Sequence, residues 1–184
     1  MNIYRNMFTL KIIAFVALSS LFMISMKSTP AQAGDKVKWE RIVGIIEPGG
    51  TVGGVVDGTP APWTVTDGRA EVDLDNGRVK FKVRGLVIAA DPSFANIGTT
   101  SVITMVKGTL VCNDTEPGDP ELVDTDAVPL SAQGDADFNG SVDLPESCAD
   151  EPEDTVVLIR IADVVDGFEF LIDLWNVFGA VRIP

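Results

Sequence analysis

Asp67-Gly-Arg-Ala-Glu-Val-Asp-Leu-Asp-Asn-Gly-Arg-Val-Lys-Phe-Lys-Val-Arg-Gly-Leu86 is the stretch on which the fold turns. Polar and apolar residues alternate on both sides of Asn76-Gly77, with the period of a half-buried strand rather than that of a helix. Asn-Gly is the preferred dipeptide of a type I′ turn, whose central residues both take positive φ. A two-residue loop there predicts Leu74 opposite Val79, Val72 opposite Phe81 and Ala70 opposite Val83 on one face. The other face then sets Asp75 against Arg78, Asp73 against Lys80 and Glu71 against Lys82, all opposite in charge. Such pairs contribute roughly 0.2–1 kcal/mol each. They also fix the register, because a slip of one residue would bury the charges. The stripe Arg78, Lys80, Lys82, Arg84 reads on this basis as a neutralised, solvated sheet face, with an anionic-ligand site as the alternative.

The same grammar runs through the chain outside this hairpin. Short β-branched and aromatic runs alternate with Gly, Pro, Asp and Asn clusters, and helical periodicity is nearly absent. Strands are expected at 37–46, 52–56, 62–66, 69–75, 78–90, 101–112, 135–144, 155–165, 168–175 and 177–183. Asp166-Gly167 suggests a second hairpin that places Arg160 across from Asp173. Val156 to Ile161, apolar on both faces except at Arg160, has the pattern of a central strand. Trp39, Trp63 and Trp175 are assigned to core or rim packing, with exposed sugar platforms as the other possibility. The fold class is all-β, an antiparallel sandwich or alternatively a flattened barrel, carrying one disulfide.

The first residues have the form of a cleavable export signal. Arg5 and Lys11 precede an apolar run from Ile12 to Met26, and Ala31-Gln32-Ala33 is a small-x-small cleavage site. The run is shorter than the ~20 residues needed to span a membrane. Residues 1–33 are therefore set aside, leaving 34–184 as a single domain with acidic loops at 113–127 and 146–154. The signal holds three of the 14 Lys and Arg and none of the 27 Asp and Glu, so 11 cations face 27 acids in the mature chain. That balance argues against nucleic acid or anionic membrane as a partner and leaves an unidentified extracellular ligand or protein. Cys112 and Cys148, the only two cysteines of an exported chain, are expected to pair.

From Gly108 to Ile159 there is no Lys or Arg. Inside this acidic middle, Asp135, Asp137, Asn139, Ser141 and Glu146 fit the spacing of an EF-hand calcium loop, with Gly140 at the turn position. The same residues also fit a half-buried strand, with Ala136, Phe138, Gly140, Val142 and Leu144 on the apolar face. A strand would space alternate oxygens about 6–7 Å apart, too far to wrap one ion. The strand is the preferred reading, with calcium as the alternative cofactor. Asn113-Asp-Thr115 and Asn139-Gly-Ser141 are glycosylation sequons, relevant only in a eukaryotic source.

The chain contains no His, which removes the Ser/His and Cys/His catalytic arrangements and most zinc sites. Phosphate-loop, dinucleotide and nucleophile-elbow motifs are also absent from the sequence. Carboxylate-pair hydrolysis needs only two acids at a set separation and stays as a second alternative.

Residues 67–86, quoted above, resemble the strand–turn–strand segment of chordin-type (CHRD-like) domains, which are secreted β-sandwich modules; more broadly the chain is similar to small exported bacterial β-proteins. The resemblance implies a secreted sandwich. It transfers no functional residue, because the His-containing motif usual in that family is missing here. The expectation from sequence is a secreted or periplasmic, non-enzymatic β domain with a structural or binding role.

Overall fold

A computed structural model of the chain describes residues 36–46, 49–52, 56–89, 96–113 and 120–183, with the side chains of 181–183 not described. The proposed signal peptide, its cleavage point and residues 114–119 of the first acidic loop lie outside the described residues.

Thirteen strands follow in order: β1 (Lys36–Gly44), β2 (Thr51–Val52), β3 (Val56–Asp57), β4 (Trp63–Thr64), β5 (Asp67–Asp73), β6 (Arg78–Arg84), β7 (Val87–Ile88), β8 (Ile103–Cys112), β9 (Glu121–Asp124), β10 (Val128–Pro129), β11 (Ala136–Ser141), β12 (Val156–Val164) and β13 (Trp175–Ile183). One helical turn, α1 (Glu146–Asp150), and two 3-10 turns, Pro152–Asp154 and Glu169–Leu171, complete the described elements. Nine strands form one antiparallel sheet in the order β10-β8-β12-β13-β1-β5-β6-β11, with β9 also paired to β8. The pairs β2–β3 and β4–β7 stand apart as two small sheets.

Chain connectivity forces the large sheet to curl. Strands β10 and β11 sit at opposite ends of the pairing order, yet only residues 130–135 join them. Seven strand intervals would separate the ends of a flat sheet by about 33 Å. The link can reach about 25 Å at full extension. The sheet closes part of the way into a half-barrel. Its inner face holds the core: Trp39, Val72, Val79, Phe81, Val83, Leu110, Leu158, Ile159 and Val177 are all buried. Each such side chain contributes about 1.5–3 kcal/mol. Phe81 on β6 lies so close to Gly108 on β8 that a Cβ there would sit 2.9 Å from the ring, so these strands meet across the core.

Strand β12 lies between β8 and β13, and Val157 through Ile161 are buried on both of its faces, as a central strand requires. All three tryptophans are buried. Cys112 and Cys148 form a disulfide that fastens the end of β8 to α1, with Cα atoms 5.0 Å apart. Closing a loop of that size stabilises by about 4 kcal/mol in the chain-entropy view.

Several expectations are corrected. The β5–β6 hairpin turns over four residues, 74–77, rather than two. Val72 therefore pairs with Val79, Ala70 with Phe81 and Gly68 with Val83, a shift of two positions that keeps every residue on its expected face. Leu74 stays buried from within the turn, and Gly77 O accepts the Val142 N–H at 2.9 Å. Only Gly77 takes positive φ, at 68°, while Asn76 Oδ1 accepts the Arg78 N–H at 3.0 Å as an Asx turn would. The expected strand 78–90 breaks after Arg84 at Gly85, with φ 63°. Residues 168–174 are not a strand but contain a 3-10 turn leading into β13 at Trp175, so Asp166-Gly167 lies within the ten-residue connection 165–174. The acidic segments are not all loop: Glu121–Asp124 is strand β9 and Glu146–Asp150 is α1. The hydroxyl of Ser147 bonds Glu121 and ties the two together. Among the described residues no helix is long and apolar enough to cross a membrane.

Candidate functional site

Strands β1, β5, β6 and β11 lie side by side and turn one polar face outward. Lys36, Lys38, Arg41, Arg69, Arg78, Lys80, Lys82 and Arg84 all sit on β1, β5 and β6. After residue 33 the remaining cations are only Lys107, Arg160 and Arg182. This part of the sheet is thus the positive pole of a chain whose net charge is −13.

Registers decide which of these charges are satisfied. Lys36 pairs with Asp73 at 3.4 Å, Lys38 with Glu71 at 4.0 Å, and Arg84 with Asp137 at 2.7 Å. Arg78 donates to Asn139 Oδ1 at 3.5 Å. The two-position shift of the hairpin places Arg69 directly opposite Lys82, with Lys80 two residues along the same strand. Like charges in directly opposed positions destabilise a sheet. Arg69, Lys80 and Lys82 make no ion pair with any described residue. Strand geometry sets this triangle at about 5 Å across the pair and 6–7 Å along the strand. The three cations line an open groove of about 770 Å³, with Lys38, Glu40, Glu71 and Asp137 at its sides. Its chemistry suits oxyanions, which Arg and Lys hydrogen-bond with charge assistance.

A second cation cluster on the same sheet behaves in the opposite way. Lys107 Nζ lies 2.6 Å from both Asp124 and Asp173, and Arg160 lies 3.3 Å from each of the same carboxylates. Arg160 Nε also donates to the Asp173 carbonyl at 2.8 Å, and the Thr109 hydroxyl donates to Asp124 at 2.6 Å. The contact between Arg160 and Asp173 is the one expected from sequence, reached through the longer connection, with Asp173 at φ 71°. Burial alone would push the Asp124 carboxyl up, but hydrogen bonds from Lys107 and Thr109 prevail and hold it below the ordinary carboxylate range. Burial likewise opposes the Lys107 charge, and hydrogen bonds to Asp124 and Asp173 raise it above the usual lysine value nonetheless. Two cations and two acids close on one another here, which is the pattern of a structural network.

The residues singled out for calcium lie on and after strand β11. Asp135 Oδ1 accepts the Gly85 N–H at 3.1 Å, Asp137 is held by Arg84, and Asn139 by Arg78. Ser141 pairs with Arg78 across the strands, and Glu146 begins α1. Three of the five thus spend oxygens on β6 and the adjoining Gly85, and Glu146 stands beyond the strand on α1. Among the described residues no group of three or more Cys, Asp or Glu could hold a metal ion. Gly140 has a sheet explanation: a Cβ there would meet the Phe138 ring at 2.6 Å. That ring stacks on Phe81 at 5.7 Å.

Sequence reasoning named Lys80 and Lys82 but missed Arg69. The available signal was that Arg69 is the one cation in the outward row of β5, whose other members are Asp67, Glu71 and Asp73. No family model, curated protein or solved structure matches this chain.

Proposed function

We propose that the chain is a secreted or periplasmic, non-enzymatic binding domain that holds an acidic polysaccharide in the groove over β5 and β6. One observation carries this reading: Arg69 opposes Lys82 across β5 and β6, and Arg69, Lys80 and Lys82 close no ion pair with a described residue, although Glu71 lies opposite Lys80 and Asp137 opposite Lys82. Placing like charges opposite each other costs stability, and an anionic ligand offsets that cost when it binds.

The class of polymer follows from charge density. Duplex nucleic acid carries one charge per about 1.7 Å, and the acidic remainder of this protein repels so dense a field. A carboxylated or sulfated glycan carries charges spaced along its sugars, which a local triangle of cations engages without drawing the acidic loops near. The export-type N-terminus and the Cys112–Cys148 disulfide both accord with an oxidising, extracytoplasmic setting. In the groove itself the two nearest carboxylates, Glu71 and Asp137, are each engaged by a cation, which favours holding a ligand over cleaving it.

The test is a binding panel of polygalacturonate, a sulfated galactan and neutral dextran at low and physiological salt, with reducing ends assayed in parallel. The expected outcome is binding to both acidic polymers that weakens with salt, none to dextran, and no new reducing ends. Equal binding to dextran, or release of reducing ends, refutes the proposal.

A further inference from the structure

A second concavity, of about 390 Å³, shares no lining residue with the groove. Its floor belongs to the core: Trp63 from β4, Ile88 from β7, Ile103 from β8 and Ile161 from β12 are all buried. Its lip is aromatic. Phe168 is 39 % exposed and Phe170 71 % exposed, with ring centroids 6.4 Å apart and planes tilted by 39°. Burying such a ring ordinarily contributes about 1.5–3 kcal/mol, which the free protein forgoes. The lip is nonetheless held in place. Leu171 N donates to Phe168 O at 2.9 Å, Ile172 N to Glu169 O at 3.1 Å, and Gly167 N to the Glu169 carboxylate at 2.9 Å.

The lining says what would fill the space. None of its residues is ionisable, in a chain where 22 % of residues are charged. A charged occupant would be desolvated there without a partner, at a cost of several kcal/mol. Polar groups stand only at the edge, where Asn96 Nδ2 donates to Ser101 Oγ at 3.2 Å. The Asn96 side-chain Oδ1 can accept from a neutral donor there, and the Ser101 hydroxyl proton can be given to a neutral acceptor. The volume falls within the range of small-molecule sites, about 300–1,000 Å³. Two tilted phenyl rings at the mouth and an indole in the wall suit a ring system, which gains from offset and edge-on contacts.

We propose that this cavity binds a neutral aromatic small molecule, with one hydroxyl or amide-type group directed to Asn96 and Ser101. The site is independent of the anionic groove.

The experiment uses the neutral fluorophore N-phenyl-1-naphthylamine, titrated into the full exported protein. The parent should show saturable one-to-one binding. Val102→Phe, which fills the cavity from its wall, should weaken binding at least tenfold, and Phe170→Ser several-fold. Lys82→Gln should leave it unchanged. If Val102→Phe does not fold, Asn96→Trp closes the mouth from an exposed position and should give the same loss. Absence of saturable binding overturns the proposal. So does binding that is lost in Phe170→Ser yet survives both cavity-closing variants, because that pattern belongs to a surface patch.

Discussion

The two cation clusters of the large sheet make opposite use of the same residue types. At Lys107 and Arg160, each cation meets both Asp124 and Asp173 at 2.6–3.3 Å, and the Arg160 side chain is only 9 % exposed. In the groove, Arg69 faces Lys82 across strands β5 and β6, Lys80 lies opposite Glu71, and none of the three cations closes an ion pair with a described residue. A cation needed by the fold is enclosed by acids. The groove cations lack that enclosure, and the proposed ligand accounts for the difference.

The largest expected effect is on the closed network. Arg160→Ala should cost about 2–4 kcal/mol in a denaturant titration, because it leaves two carboxylates facing a single lysine. The upper part of the range for buried pairs is discounted, since Asp124 and Asp173 keep contact with water. A loss below about 0.5 kcal/mol, the size of a surface substitution, would erase the distinction between the clusters.

Acid provides the next, smaller test. The folded value of Asp124 is depressed, so its contribution is present above the unfolded carboxylate value of about 3.9 and is lost as pH falls through the lower folded value. The folded value of Lys107 is raised, so its contribution is present below the unfolded lysine value of about 10.4 and is lost as pH climbs through the higher folded value. The contribution of this pair should be level between those limits. Melting curves should show Asp124→Asn losing stability at neutral pH and converging on the parent as pH falls through the depressed folded value. Parallel pH profiles for the two proteins would contradict the linkage.

How much of this was legible in the sequence differs between the same two regions. Alternation in 67–84 fixed which residues face out, and that survives the register shift because a slip of two positions preserves the face. The register itself did not follow from Asn76-Gly77. The four-residue turn is held from outside the hairpin, where Val142 N donates to Gly77 O at 2.9 Å, and local turn chemistry gives no view of that contact. The Arg69–Lys82 apposition, and with it the candidate site, depended on the register and so stayed hidden. The contact of Arg160 with Asp173 was anticipated from a two-residue hairpin that does not form; the pair meets all the same, and a buried arginine in an apolar strand needs such a carboxylate. Strand β9 was masked by its acidic composition; it forms because β8 offers an unpaired edge at Thr109–Cys112. Of the strand expected at 135–144, Ala136–Ser141 forms, as period-two alternation indicated, within a segment whose oxygen spacing also matches a calcium motif.

The smallest effect on stability belongs to the groove. Arg69→Ser and Lys82→Gln should each change the unfolding free energy by no more than about 0.5 kcal/mol, with the sign of a slight gain as the like-charge opposition is relieved. A loss beyond about 1 kcal/mol in either would show that the residue serves the fold.

Calorimetric titration of the triple variant Arg69→Ser/Lys80→Gln/Lys82→Gln with polygalacturonate, beside the parent and with melting temperatures recorded, tests the central claim most directly. Uncompensated cations held for a ligand predict at least tenfold weaker binding, or about 1.4 kcal/mol, with a melting temperature equal to or above the parent's. The dependence of affinity on salt should also become shallower as cations are removed. Binding that is unchanged in the variant, or lost only together with a fall in melting temperature, would contradict the account.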